Sequence, residues 1–228
     1  MAMLWSKRQC ENLDKAAFEG VGEFGIPQMQ PVLLPISEET GEKPQMIGFN
    51  LAARFAHPGD VGVHFFLKDY QFTRLWTSPD IYTPMLERFR FVCTPDFSMF
   101  TDYPLAIQIY SHYKKHWLGA YWQAHGMTVV PTISWSDERS YGWCFDGDPT
   151  NGTVAVSSVG TQMNHKTKTL FLRGFERMIE RLSPRIILFH GDIPPEIPEM
   201  IREISAENRP VLAAVAAFQQ RLRAIGKA

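Results

Sequence analysis

The sequence predicts an α/β fold: a single domain of strand–helix repeats around a mainly parallel sheet. Three observations predict it. Six short apolar runs, rich in β-branched and aromatic residues, lack the apolar–polar alternation of half-exposed strands and suit strands covered on both faces. Amphipathic helical patterns lie between those runs. Each run passes directly into a polar loop, which favours an incomplete or distorted barrel, with an open doubly wound sheet as the alternative.

Residues 1–44 carry no steady period and are broken by Gly20, Gly22, Gly25, Pro27, Pro31, Pro35, Gly41 and Pro44. They are expected to form an arm, with a helical turn or two over 11–18, and residues 45–228 the α/β domain. The strands are expected at 46–50, 62–67, 89–94, 127–133, 153–157 and 185–190. Ser78-Pro79 is a good helix start, and Tyr82, Met85, Leu86 and Phe89 continue an apolar face. Pro104 opens a longer helix through Ile109, Tyr113, Trp117 and Ala120 that stops at Gly126. Phe171, Phe175, Met178, Ile179 and Leu182 mark a third helix. Leu212, Val215, Phe218, Leu222 and Ile225 mark a last one.

Acidic and basic residues nearly balance, at a formal charge of −1, so the total charge gives no reason to expect a nucleic-acid partner. Cys10, Cys93 and Cys144 form no CxxC pair or metal spacing, which fits a reduced, cytoplasmic setting without disulfides. The opening Met-Ala-Met-Leu-Trp-Ser-Lys-Arg meets charge too early for a secretory signal. The longest apolar run, 211–218, is too short to cross a bilayer. No P-loop, GxSxG or cysteine cluster names a cofactor, and no metal is indicated. Gly20-Val21-Gly22-Glu23-Phe24-Gly25 matches GxGxxG in form, but no strand precedes it.

In parallel α/β folds ligands bind beyond the carboxyl ends of the strands. Asp69, Asp96, Ser98, Asp102, Thr132, Trp135, Ser157, Ser158 and His190 all follow or end an apolar run. Asp and Ser after a strand also cap helices, and Asp102 reads equally well as a cap. Tyr141-Gly142-Trp143-Cys144-Phe145-Asp146-Gly147 sets aromatics beside an acid, an arrangement that can stack a planar ligand and raise the acid's pKa. The alternative is that Trp143 and Phe145 plug the core while Asp146-Gly147 turns. Cys144 has no base near it in sequence to make it a nucleophile. His112 and His116, four apart, could share a metal, but no HExxH glutamate accompanies them, and solvated or capping histidines are the expectation. Arg173, Arg177 and Arg181 form a helical stripe that could lie on phosphates, or be solvated.

The blocks Thr94-Pro95-Asp96-Phe97-Ser98-Met99, Val130-Pro131-Thr132 and Trp143-Cys144-Phe145-Asp146-Gly147, with Phe66 to Phe72 and Val154-Ala155-Val156-Ser157, resemble those of a bacterial family frequently encoded by bacteriophages and integrative elements, a domain of unknown function. The likeness covers about 62–191. It implies a mobile-element context and supplies no catalytic residues.

The function expected is a hydrolase or lyase on a nucleotide, nucleobase or similar polar planar substrate. Asp96 and Asp146 would be its carboxylate pair, Trp135 and Trp143 would stack the substrate, and Ser157 and Ser158 would contact a polar or phosphate group. The alternatives are a non-catalytic nucleic-acid or host-protein binding module, and a small-molecule sensor or sponge.

Overall fold

The computed structural model describes residues 11–35, 44–206 and 216–218. The first elements are the antiparallel pair β1 (Gly20–Val21) and β2 (Ile26–Pro27). The glycine string found in the sequence is the turn of this hairpin. Gly22 and Gly25 take φ of 71° and 61°, the left-handed values that suit glycine. Residues 11–15 form a turn rather than the expected helical segment. Glu11 and Asn12 both take positive φ, which an α-helix cannot carry.

There follow β3 (Gln45–Gly48), α1 (Phe49–Ala52), β4 (Val61–His64), α2 (Arg74–Thr77), α3 (Pro79–Leu86), β5 (Phe91–Cys93), α4 (Leu105–Ala124), β6 (Val129–Val130), β7 (Thr153–Ser157), α5 (His165–Leu182), β8 (Ile186–His190), α6 (Ile197–Ala206) and β9 (Ala216–Phe218). Each of the six apolar runs overlaps one of β3 to β8, though β3 and β4 start one residue early and Phe49-Asn50 open α1 rather than extending β3. Helix α3 starts behind Ser78 and Pro79, and α4 directly after Pro104. A capping box between Asn164 and Thr167 starts α5. The expected last helix is overturned where it is described. Ala216–Phe218 is a strand in parallel register with Leu188, Phe189 and His190, because the edge of β8 offers backbone groups that an extended segment satisfies. The rest of that helix lies outside the described residues.

Strands β3, β4, β5 and β6 form one parallel sheet and β7, β8 and β9 another. A parallel bridge between Thr132 and Ala155 joins them, with Ile133 N–H donating to the Ala155 carbonyl and Ala155 N–H to that of Pro131, both at 2.8 Å. Seven parallel strands thus run side by side in chain order. Strands β4 and β8 are four positions apart, about 19 Å in a flat sheet. Yet the rings ending them, His64 and His190, have centroids 4.8 Å apart. The sheet therefore curls strongly. It does not close: among the described residues β3 and β9 remain unpaired edges.

The curl sorts side chains by strand parity. Met46, Phe91, Cys93, Val130, Ala155 and Leu188 pack on the inner face with Leu34. Val63, Val92 and Val129 face outward onto Trp117, Leu118 and Trp122 of α4. Val154, Val156, Ile187 and Phe189 face Phe175, Met178 and Ile179 of α5. Both faces are apolar, so the strands show no alternation. Leu34 enters near the start of β7, where its N–H donates to Thr153 Oγ1 at 3.0 Å. Apolar packing fills that end, and the polar inward positions fall at the carboxyl ends of the strands. No helix among the described residues is long and apolar enough to cross a membrane.

Candidate functional site

Two polar groups occupy the carboxyl-terminal rim. The first gathers Asp69, Asp96, Ser98, Lys115 and Ser134. The Asp69 carboxylate accepts from Ser98 N–H at 3.1 Å and from its hydroxyl at 2.7 Å, tying the loop after β4 to the loop after β5. Lys115 is on α4 and 1% exposed. Helical side chains lean toward the helix amino terminus, which lies at the rim, and Lys115 Nζ donates to Ser134 Oγ at 3.4 Å. Burial pushes the Asp96 carboxyl up to about 6, opposed by the Lys115 ammonium and the Ser134 hydroxyl.

The second group is Ser157, His190 and His64. In register, Ser157 pairs with His190 and lies two residues from inward Ala155. His64 lies two residues from Gly62, the register partner of inward Phe91. All three therefore point inward. Ser157 Oγ is 3.2 Å from His190 Nδ1 and accepts the Val159 N–H at 3.3 Å. His190 stacks on Phe66, with centroids 4.8 Å apart. His64 is 1% exposed. Its Nδ1 accepts the Phe66 N–H at 3.3 Å, and its Nε2 is buried without a partner. Burial, with His190 adding, lowers His64 to about 3, and burial also lowers His190. Ser158 hydrogen-bonds the carbonyls of His190 and Asp192. A Cβ on Gly191, at φ 94°, would lie 2.7 Å from Ser158 Oγ, so only glycine lets the two loops close together.

Thr132 is buried between these groups. Its hydroxyl donates to the Thr94 carbonyl at 2.7 Å, and its N–H donates to Thr94 Oγ1 at 2.8 Å, so both serve the sheet. Asp102 is exposed. Trp135 packs on Phe145 and Phe171 and rests on Gly174, where a Cβ would lie 2.1 Å from its indole nitrogen. Trp143 is buried against Phe24 and His112. These two rings lie within the outer core layer rather than forming an open aromatic wall.

Asp146 belongs to a third group on another side of α4, with Arg181, His116 and Asp148 for neighbours. Burial raises its carboxyl, against the pull of Arg181 3.6 Å away. His112 and His116 are not solvated as expected: they are 1% and 0% exposed, because the loop holding Gly147 and the β2 hairpin cover that helix face. His112 Nε2 donates to the Asp146 carbonyl at 2.9 Å, and burial holds its pKa well below the ordinary value. Among the described residues no group of three or more His, Cys, Asp or Glu is placed to hold a metal. Each arginine of the α5 stripe meets a carboxylate: Arg173 with Glu138 at 2.5 Å, Arg177 with Glu180 at 2.7 Å and Arg181 with Asp146 at 3.6 Å.

The profile of the family described as Domain of unknown function (DUF4417) matches residues 18–206. The chain belongs to the DUF4417 family. The match extends beyond the 62–191 stretch that carries the sequence resemblance. This DUF4417 chain is also similar to the Gene 1 protein of Mycobacterium phage D29, at 34% identity over 231 aligned residues covering 93% of the chain and 83% of that protein. It is 32% identical to the Gene 1 protein of Mycobacterium phage L5 over 180 residues, 78% of the chain and 76% of that protein. No solved structure matches the DUF4417 chain.

His64, Lys115 and Ser134 escape a motif search. Their signals are positional. Val63-His64 and Phe91-to-Cys93 lie on adjacent parallel strands, and His64 ends its strand as His190 does. Lys115 stands four residues after Ser111 and three before Leu118, on a helix face that is otherwise buried.

Proposed function

We propose that this phage-related DUF4417 chain is an enzyme that performs acid–base chemistry at the carboxyl-terminal rim. We infer a hydrolase or lyase, acting on a nucleotide, nucleobase or similar polar planar substrate. Asp96 is the general base, and the Lys115 ammonium stabilises the negative charge that develops as the substrate loses its proton to Asp96. Ser134 holds Lys115 in place. The observation carrying this assignment is the buried Lys115 of α4 reaching the loop after β6, with the neutral Ser134 hydroxyl as hydrogen-bond partner and the Asp96 carboxyl nearby. A carboxyl raised toward neutrality and set beside a fixed cation is suited to proton transfer near neutral pH.

The alternative through the α5 arginines is weakened by their three carboxylate partners, which cancel most of the field that phosphates would feel. Incubation with a panel of nucleotides, nucleosides and nucleobases, followed by chromatography, tests the enzyme. Asp96→Asn should cut turnover of the active panel member by about 100-fold or more with the fold intact. Equal turnover by Asp96→Asn would remove Asp96 as the base. Binding of a panel member without turnover would favour the sensor.

A further inference from the structure

We propose that Ser157, His190 and His64 form a second reactive site on the inner face of the rim: a serine nucleophile, its imidazole base and an oxyanion donor, suited to hydrolysing a carboxylic ester. It goes beyond the acid–base assignment and uses neither Asp96 nor Lys115.

The hydrogen bonds assign each part. Val159 N–H donates to Ser157 Oγ at 3.3 Å, and with His190 as the Nε2–H tautomer the hydroxyl donates its proton to His190 Nδ1, 3.2 Å away. That is the nucleophile–base separation that activates a weak serine. Phe66 and His64 pack against the His190 ring, with centroids 4.8 Å away in both cases, and fix its plane. Ser157 and His190 are both partly exposed, so a substrate can reach them. His64 Nδ1 is committed as an acceptor to the Phe66 N–H, which places the proton of the neutral ring on Nε2. That N–H is buried and unpartnered. A buried donor without an acceptor is destabilising, which is understandable where a ligand oxygen completes the bond.

The chemistry balances on these groups. Ser157 Oγ bonds to the ester carbonyl carbon as its proton passes to His190 Nδ1, and the carbonyl oxygen becomes an oxyanion facing His64 Nε2–H. Collapse breaks the bond to the leaving alkoxide, which takes the proton from His190. Water then attacks the acyl-serine, giving one proton to His190, and release of the carboxylic acid returns that proton to Ser157. Preorganised donors of this kind matter because they stabilise charge as it forms.

The purified full chain is treated with a fluorophosphonate and, separately, with p-nitrophenyl acetate. A single fluorophosphonate adduct mapped to Ser157 by digestion and mass spectrometry is expected. It should be absent in Ser157→Ala and formed about 100-fold more slowly in His190→Gln. His64→Leu should slow p-nitrophenolate release about 100-fold, and His64→Gln, which keeps an N–H donor, should recover part of it. No adduct at Ser157, or labelling at the wild-type rate in His190→Gln, overturns the site. Both hold even if a His64 variant fails to fold. Labelling needs no nucleotide substrate, so its outcome is independent of the Asp96 assay.

Discussion

His116 Nε2 meets Asp148 Oδ1 at 3.0 Å, with both side chains wholly shielded from solvent. The ring's other nitrogen bonds the His112 carbonyl at 3.0 Å, so one histidine clamps the 141–149 loop to α4. Breaking a buried pair from one side strands the remaining polar group. Asp148→Ala should therefore destabilise the fold by about 3–5 kcal/mol, seen as a lowered urea midpoint with an unchanged slope. Asp148→Asn, which keeps the shape and an acceptor, should cost less. Equal midpoints for wild type and Asp148→Ala would mean that the His116–Asp148 pair does not hold the loop, leaving it to the His112–Asp146 hydrogen bond and the packing of Trp143 and Phe145.

Two groups on the rim respond to pH in opposite senses. Asp96 is raised from 3.8 to about 6, so the folded chain holds that proton more tightly than the unfolded one. Its contribution falls as pH rises through that interval and stays low above it. His64 is lowered from 6.5 to about 3, so the unfolded chain takes the proton first. Its contribution is complete above the higher value and is lost as pH falls toward the lower. Asp96→Asn should therefore be more stable than wild type at about pH 7 and lose that advantage near pH 4. His64→Gln should flatten the acid loss over the same range. Urea midpoints at several pH values measure both, and parallel curves for all three proteins would refute the assignment. Turnover dependent on Asp96 should rise through pH 6 with the charged carboxylate.

The arginine stripe should be nearly silent. Its three side chains are 58–63% exposed and already matched by carboxylates, and pairs exposed on both sides, as those of Arg173 and Arg177 are, contribute about 0–1 kcal/mol each. The change of Arg173 and Arg177 to Gln should leave stability within about 2 kcal/mol, and the triple change that adds Arg181 should leave any DNA affinity unchanged. Fluorescence anisotropy with a labelled duplex at low salt reads this. A steep, salt-dependent loss in the triple variant would restore nucleic acid as the partner.

The strands were legible because their pattern has a single physical cause. Phe91-Val92-Cys93 must be apolar throughout when Phe91 and Cys93 fill the interior and Val92 faces α4. Alternation is erased, and its absence signals a parallel sheet. Proline and glycine punctuation placed α3 and α4 for similarly local reasons. What stayed hidden depends on contacts distant in sequence. The burial of His116 requires Asp148 and a loop 32 residues away. The approach of His64 to His190 requires the curl of the whole sheet. Ala216–Phe218 reads as helix from its apolar spacing and becomes strand only because β8 has an open edge beside it. Trp135 looked like a stacking surface until Gly174 supplied the flat seat on α5 that receives it.

The remaining test concerns the thiols. Cys93 lies on the inner face of β5 against Met46, Sγ to Sδ 3.6 Å, and burial raises its pKa strongly. Burial pushes Cys144 up to about 12. A thiolate is the reactive form, so neither should react while the fold is intact. In a Cys10→Ser chain, an aromatic disulfide reagent should detect no thiol in the native state and two after denaturation, since Cys93 and Cys144 are both free. The native reaction should then proceed only at the rate of unfolding and slow as the protein is stabilised. Rapid native labelling of Cys144 would show that the loop carrying Trp143 and Asp146 opens readily, contrary to its sealed contact with His112 and His116.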